Sequence, residues 1–360
     1  MAAELIRKAR GKGTLMLALS KSSAERFLRE CAAITRGLRI KVYEEWRPEL
    51  DEVLASLPGE DIFPHELFRS LMKLPNPGKK LIIRVMKQGE PVALAGLRKR
   101  WGLWEPVTRG IVPEVLFPVK EGYLSHVLPA FGLPLNVQWW RRPDPPPMAD
   151  WMRQVESFTD YRMGCSDDFE AHWRKSNLLR KIKNRRTRCC GFKLKVNLPY
   201  AAKFIIKTWD RKWRGVQLGE RSEDITERLM AAEYLQERGL HYSLLLVDRD
   251  EPVAGCTCLV HRNEVLAHIS YRNPAYDMLG GMTHFWEMFF YWARDMGFDG
   301  ICLGAHHDYK KKWAPESGQY FRFKVYPGIS RVCDLTSRLI ETAGGKLPMG
   351  IKTSLSGSLR

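Results

Sequence analysis

Residues 265–304 read VLAHISYRNPAYDMLGGMTHFWEMFFYWARDMGFDGICLG. The first seven alternate in the way a half-buried strand does. A loop rich in Asn, Pro and Gly follows, and then a helical pattern runs from Thr283 to about Met296, closed by Gly297. The apolar run GICLG at 300–304 reads as a second strand. A strand, a helix and a strand in this order make a crossover, which sets the two strands parallel in one sheet.

Working outward, SLLLVDRDEPVAGCTCL at 243–259 meets a charged turn and then Glu-Pro-Val-Ala between two apolar runs, so strands are expected at 242–248 and 253–260. Further upstream, a helix is expected from Asp167, with Glu170 completing a capping box, through FEAHWRKSNLLRKIKNRRTR to a stop at Gly191. FKLKVN alternates as a strand, and helices are expected at about 200–214 and 222–238. Beyond residue 304, YFRFKVYPG is another alternating strand. The expected class is α/β (α+β): a mixed, mostly antiparallel sheet with one parallel crossover pair, flanked by helices.

The prolines of RRPDPPPMADW at 141–151 stop any helix or central strand. On the far side of them, LIIRVMKQGEPVALAGL at 81–97 repeats the phrase of 243–259, and the matched flanks suggest a duplicated domain. The expected organisation is a basic arm at 1–37, a first domain at 38–142, a linker at 143–150, a second domain at 151–345 and a tail at 346–360.

The chain has 360 residues, 44% of them hydrophobic, and a formal charge of +17. That composition suits a globular protein and disfavours a disordered one. The charge favours polyanionic partners: nucleic acid, a nucleotide-bearing substrate or an anionic membrane face. Eight cysteines show no CxxC pair and no framework, which suits free thiols in a reducing, cytoplasmic setting. No apolar run approaches the roughly 20 residues of a membrane helix.

Chemistry concentrates at two places. LGGMT, with Gly280, Gly281, Met282 and Thr283, sets two glycines ahead of a helix start, where main-chain amides and the positive helix end can face a phosphate. The loop GAHHDYKKKWAP at 304–315 follows the second crossover strand. There Tyr309 can protonate a leaving group, His306, His307 or Asp308 can take a proton from an amine, and Lys310 can hold an anion. On strand 265–271, Val265, Ala267, Ile269 and Tyr271 are expected on one face, and His268, Ser270 and Arg272 on the other. His268 is then a candidate general base in a notch between the crossover strands, where an acyl carbonyl can accept a main-chain hydrogen bond. No Cys/His/Asp spacing matches a metal site. Residues 174–195 carry ten Lys or Arg and no acid, so that segment reads either as a binding surface or as a solvated face.

Taken together, the Trp173 to Arg188 helix, a second helix ending in Trp209 and Trp213, the EPVAG hairpin, the NPAYDMLGG loop and YKKKW at 309–313 resemble the CelD/BcsL-type acyltransferase domain associated with cellulose biosynthesis. This is a branch of the GNAT superfamily related to the Fem-type aminoacyltransferases. The likeness covers 158–326, and the first half resembles a degenerate GNAT-like repeat, so tandem GNAT-like domains are implied. The resemblance implies acyl transfer from a carrier to an amine or hydroxyl, without a covalent enzyme intermediate, and the expected acceptor is an amine on a small molecule, glycan or peptide. It places the carrier's phosphates on Gly280 to Thr283 and maps the family's Tyr-Lys pair and tryptophan onto Tyr309, Lys310 and Trp313; Ser270 is a further candidate on the carrier's side, and Arg272 and Trp213 are further candidate substrate contacts. Acyl-CoA is the implied donor and aminoacyl-tRNA the alternative. The usual Arg/Gln-x-x-Gly-x-Gly/Ala signature is replaced here by YDMLGGMT.

Overall fold

The computed structural model describes residues 37–58, 65–74, 80–100, 103–108, 117–141, 152–213, 222–304 and 307–325. The basic arm (apart from Gly37), the proline-rich linker and the tail lie outside the described residues.

The first half builds β1 (Leu38–Tyr43), α1 (Glu49–Ala55), α2 (His65–Lys73), β2 (Lys80–Lys87), β3 (Glu90–Arg100), β4 (Leu103–Pro106), α3 (Leu124–Ala130) and β5 (Leu135–Arg141). The second half begins with β6 (Met152–Gly164), α4 (Phe169–Lys175), α5 (Leu179–Arg188), β7 (Lys193–Val196), α6 (Ala201–Trp213) and α7 (Ser222–Gln236). It continues with β8 (His241–Asp248), β9 (Glu251–His261), β10 (Glu264–Arg272), α8 (Gly281–Asp295), β11 (Gly300–Cys302) and β12 (Glu316–Val325). Hydrogen bonding links the strands in the order β1-β2-β3-β4-β5-β12-β6-β11-β10-β9-β8-β7.

The two halves echo one another. The Glu-Pro-Val-Ala turns sit at the β2–β3 and β8–β9 hairpins. Each hairpin is followed by a strand, a helix and a second strand parallel to the first: β4 with β5, and β10 with β11. The mixed α/β sheet with its parallel crossover is therefore present, and so is the repeat.

Two local expectations are corrected. The expected single helix over 167–188 is two helices, because Asn177 takes a left-handed backbone (φ 57°) that an α-helix cannot continue through. Asp168 is the residue that caps α4, its Oδ1 accepting from Ala171 N at 3.0 Å, while Asp167 instead accepts from Gly164 N at 2.8 Å. The second correction concerns β10. Its register on β9 slips between Ala267 (opposite Cys258) and Ile269 (opposite Thr257), so His268 is the extra residue of a β-bulge. A bulge reverses the alternation beyond it. Val265 and Ala267 pack with Phe285 and Trp173 on the α4/α5/α8 side, whereas Ile269 and Tyr271 pack with Ile205 and Leu245 on the α6 side. The four do not share a face.

Helix α7 ties the halves together. Its Ala231 and Leu235 belong to the core of the first half, and its Ile225 and Ala232 to the α6 cluster. Beside them lies a buried ionic network: Arg98 pairs with Glu105 (2.9 Å) and Glu227 (2.5 Å), and Lys80 pairs with Glu227 (3.2 Å). Each carboxylate and cation there has an opposite charge within hydrogen-bonding distance, which the interior demands.

Candidate active site

Strands β10 and β11 pair at only three positions, ending at Leu266 opposite Cys302. Past that point β10 stays with β9, opposite Thr257, Cys256, Gly255 and Ala254. The other chain stays with β6, as Leu303 N donates to Tyr161 O at 2.9 Å. The two strands therefore part at the bulge and leave a notch between Ala267 and Gly304. On the bulge itself, Ile269 N donates to Thr257 Oγ1 at 3.3 Å.

One wall of the notch is polar. Asp160 of β6 is buried; its Oδ1 accepts from Tyr161 N (3.0 Å) and from Cys302 Sγ (3.2 Å), and its Oδ2 lies 3.2 Å from Arg162 Nε. Gly304 N donates to Cys302 Sγ at 3.4 Å. Gly304 is left-handed (φ 67°), and a Cβ built there would lie 3.9 Å from Lys310 Nζ and 4.0 Å from Ala267 O. The Lys310 ammonium is thus turned into the notch. Burial pushes its pKa down to about 8, against the opposing pull of Cys302, Cys256 and Asp160.

The 3-10 turn at Asp308–Lys312 explains why this lysine and not its neighbours turns inward. Side chains at i and i+3 of such a turn eclipse, so Lys310 and Trp313 point the same way. Trp313 is buried against Trp173 (5.5 Å) and Phe290 (5.9 Å), and its carbonyl accepts from Trp173 Nε1 at 3.2 Å. It anchors the loop in the core, and its ring faces protein. Lys311 and Lys312 are exposed.

Tyr309 keeps 43% of its surface exposed, yet desolvation of its hydroxyl, helped by Cys256, pushes its pKa up to about 12. It is a protonated phenol at neutral pH. The His307 ring stacks on it at 5.7 Å and 22°, with its pKa lowered by desolvation and by Lys310. Asp308 is exposed at the start of the turn, and His306 lies outside the described residues.

His268 faces away from the α8 side, into a small recess of about 10 Å³ under α6 and α7. Ile206, Arg228, Ala231, Ala232, His241 and Thr257 line it with His268. His241 is fully desolvated, which brings its pKa down to about 4 and keeps it neutral; its Nδ1 has no hydrogen-bond partner.

The glycine turn lies on the other side of the sheet. Gly280 caps α8 in a left-handed conformation (φ 84°), and Gly281 is already the first helical residue, two positions earlier than the sequence pattern indicates. The first turn, Gly281 to Thr283, leaves amides without intrahelical partners. A Cβ on Gly281 would come within 2.4 Å of Val253 Cγ1, so only glycine lets α8 sit this close to β9. Sequence reasoning missed Arg185 of α5, whose side chain lies across Gly280 and donates to Met278 O. Arg272 is bound bidentately to Asp277 of the same loop. Ser270 is exposed on β10, on the α8 side once the bulge has reversed the alternation. Trp213 ends α6, within the backbone only.

Among the described residues no group of three His, Cys, Asp or Glu side chains converges as a metal site would require. The described cysteines, Cys165, Cys189, Cys190, Cys256, Cys258 and Cys302, are all free thiols.

Residues 153–311 match the acetyltransferase (GNAT) domain family. No curated protein matches the chain. Several solved structures align with most of the chain. The crystal structure of FemX does so at 11% identity and a TM-score of 0.44, over 82% of this chain and 99% of that one. The structure of L-PGS from Bacillus licheniformis aligns at 17% and 0.49, over 84% and 99%. A tandem GNAT protein from the clavulanic acid biosynthesis pathway aligns at 9% and 0.43, over 79% and 98%. The GNAT match spans β6 to the Tyr309–Lys310 turn, and so covers the notch and the glycine cap of α8 together.

Proposed function

We propose that the second half is an N-acyltransferase that moves an acyl group from acyl-CoA to an amine by direct attack in the β10/β11 notch. The observation that carries the reading is the parting of β10 from β11 at the His268 bulge, with the Lys310 ammonium turned into the gap. A donor of this class supplies an activated thioester carbonyl and a thiolate leaving group. The residues fit it: the open amides of Gly281, Met282 and Thr283 suit phosphate oxygens, and Ser270 lies on the same side of the sheet.

In this reading Lys310 polarises the acyl carbonyl, replacing water with a fixed donor. The amine enters from the α6/α7 side, where His268, directly or through water, takes its proton as the new C–N bond forms. The C–S bond breaks and Tyr309, protonated at neutral pH, gives its proton to the sulfur. His307 and Asp308 border the tyrosine and hold it oriented; Arg272 fixes the loop before α8 through Asp277. Lys310, expected to hold an anion of the substrate, is thereby given to the carbonyl. Trp313 supports the site from the core. The motif order noted above supports a CelD/BcsL-type member acting on a small-molecule, glycan or peptide amine.

A charge of +17 and the missing Arg/Gln-x-x-Gly-x-Gly/Ala signature favour a second reading, an aminoacyl-tRNA donor on the same frame. Thermal melts separate the two. Acyl-CoA at 100 times its Kd raises stability by about 2.7 kcal/mol in the first case, and only charged tRNA does so in the second. Thiol release from acyl-CoA with a panel of amines completes the test. Neither a melt shift nor turnover with either donor would reduce the protein to a non-catalytic basic module.

A further inference from the structure

The most exposed large apolar side chain among the described residues is Met278, 82% accessible, followed in sequence by Leu279 at 39%. Both stand at the crest of the loop before α8, and that crest is pinned to the basic helix α5. Arg185 donates to Met278 O, Cys189 Sγ lies 3.6 Å from Leu279 O, and Phe192 packs edge-on against Tyr276 at 5.7 Å. The loop, the C-terminal half of α5 and the start of β7 are therefore one continuous surface.

Its charge is predominantly positive. No Asp or Glu occurs between Glu170 and Asp210. Arg180, Lys181, Lys183 and Arg188 of α5 and Lys193 and Lys195 of β7 are exposed. Lys181 and Arg188 sit four before and three after Arg185, on the side of the helix that meets the loop. Four nearby acids have partners: Asp277 is held by Arg272, Glu287 by Arg186, Glu251 by Tyr276 and Asn273, and Asp248 lies 3.5 Å from the Tyr276 hydroxyl. Val196 (38%) and Tyr200 (46%) add exposed apolar area at the end of β7.

We infer that this face docks on an anionic lipid bilayer, with Met278 and Leu279 entering the interface and α5 lying over the headgroups. Cations alone would suit any polyanion. An exposed methionine beside a part-exposed leucine at the crest of a cationic rim suits a partner that offers an apolar layer beneath its charge, and a bilayer interface does. Among the described residues no helix is long and apolar enough to cross a membrane.

Sedimentation of the full chain with vesicles tests this. Vesicles of phosphatidylglycerol and phosphatidylcholine should carry the protein down, those of phosphatidylcholine alone should not, and 0.5 M salt should release it. Lys181→Gln with Arg188→Gln should weaken binding roughly 30-fold, at about fivefold per cation. Met278→Ser with Leu279→Ser should weaken it about tenfold, with the melting temperature unchanged as a check on folding. In Met278→Trp/Leu279→Ser, the tryptophan emission should shift to the blue on anionic vesicles. Failure of the wild-type chain to sediment, or full binding by Met278→Ser/Leu279→Ser, overturns the inference. So does a tRNA that binds the serine variant undiminished while vesicles bind neither, which assigns the surface to nucleic acid. None of these readouts depends on turnover.

Discussion

Replacing Lys310 by methionine should make the protein more stable and less active, and the stability gain should depend on pH in a defined way. Methionine is close in length, and the notch has room for it. The ammonium is held at a pKa of about 8 against an ordinary 10.5, chiefly by burial. At 1.36 kcal/mol per pH unit, keeping the charge there costs the native state roughly 3 kcal/mol. The sign follows from proton counting. Below pH 8 both native and unfolded chains carry the proton and the penalty is present in full. Between 8 and 10.5 the unfolded chain still carries it and the native chain does not, so wild-type stability rises with pH. Denaturant titrations of both proteins from pH 6.5 to 10.5 should therefore show Lys310→Met ahead at neutral pH, its advantage shrinking by about 3 kcal/mol across the upper window. Other titrating groups cancel in the difference. Acyl transfer should meanwhile fall about 10²- to 10³-fold, the size of a lost donor to a developing oxyanion. A pH-independent stability difference would refute the placement of the ammonium in the notch. Unchanged turnover would refute its role while leaving the placement intact.

Tyr309→Phe should lower kcat about 10²- to 10⁴-fold with little change in the KM for donor, and the alkaline loss of activity should disappear from the residual rate; a large KM effect instead would make Tyr309 a binding residue. Gly280→Ala should destabilise by at least about 1–2 kcal/mol from the left-handed backbone alone, and further because its Cβ would lie 2.3 Å from Arg185 Cδ. Adding Arg185→Ala should return only the second part, as judged by melting temperature. Glu227→Gln should cost about 3–5 kcal/mol in denaturant unfolding, because Lys80 and Arg98 would remain charged and buried beside a neutral amide; a loss under 1 kcal/mol would mean that α7 is not held by this network.

The crossover, the paired hairpins and the alternating strands were legible because each is written in local periodicity. What escaped is set by partners far away in the chain. The bulge at His268 depends on how β10 meets Thr257, eleven residues earlier on a different strand, and the sequence of β10 alternates through it without a mark. That one insertion left His268 on the α6/α7 side, brought Ile269 and Tyr271 to that side beside it, and so changed which neighbours a general base there can have. The break at Asn177 did carry a signal, since Asn tolerates a left-handed backbone better than most residues do, but it was hidden inside a run of good helix formers.

The loop after β11 shows how far such reading can go when a second rule is added. Three consecutive lysines are indistinguishable by composition. Once Trp313 is taken as a core anchor, the three-residue repeat of the 3-10 turn selects Lys310 as the one that shares its direction, and leaves Lys311 and Lys312 to solvent. The same geometry presents Tyr309, one position earlier, at the rim rather than in the gap. A buried tryptophan thus fixes two functional groups at different depths: an ammonium inside the notch and a phenol at its mouth. In the proposed acyl transfer this order would matter, because charge on the carbonyl oxygen would develop inside the gap, whereas a departing sulfur would have to leave through the opening.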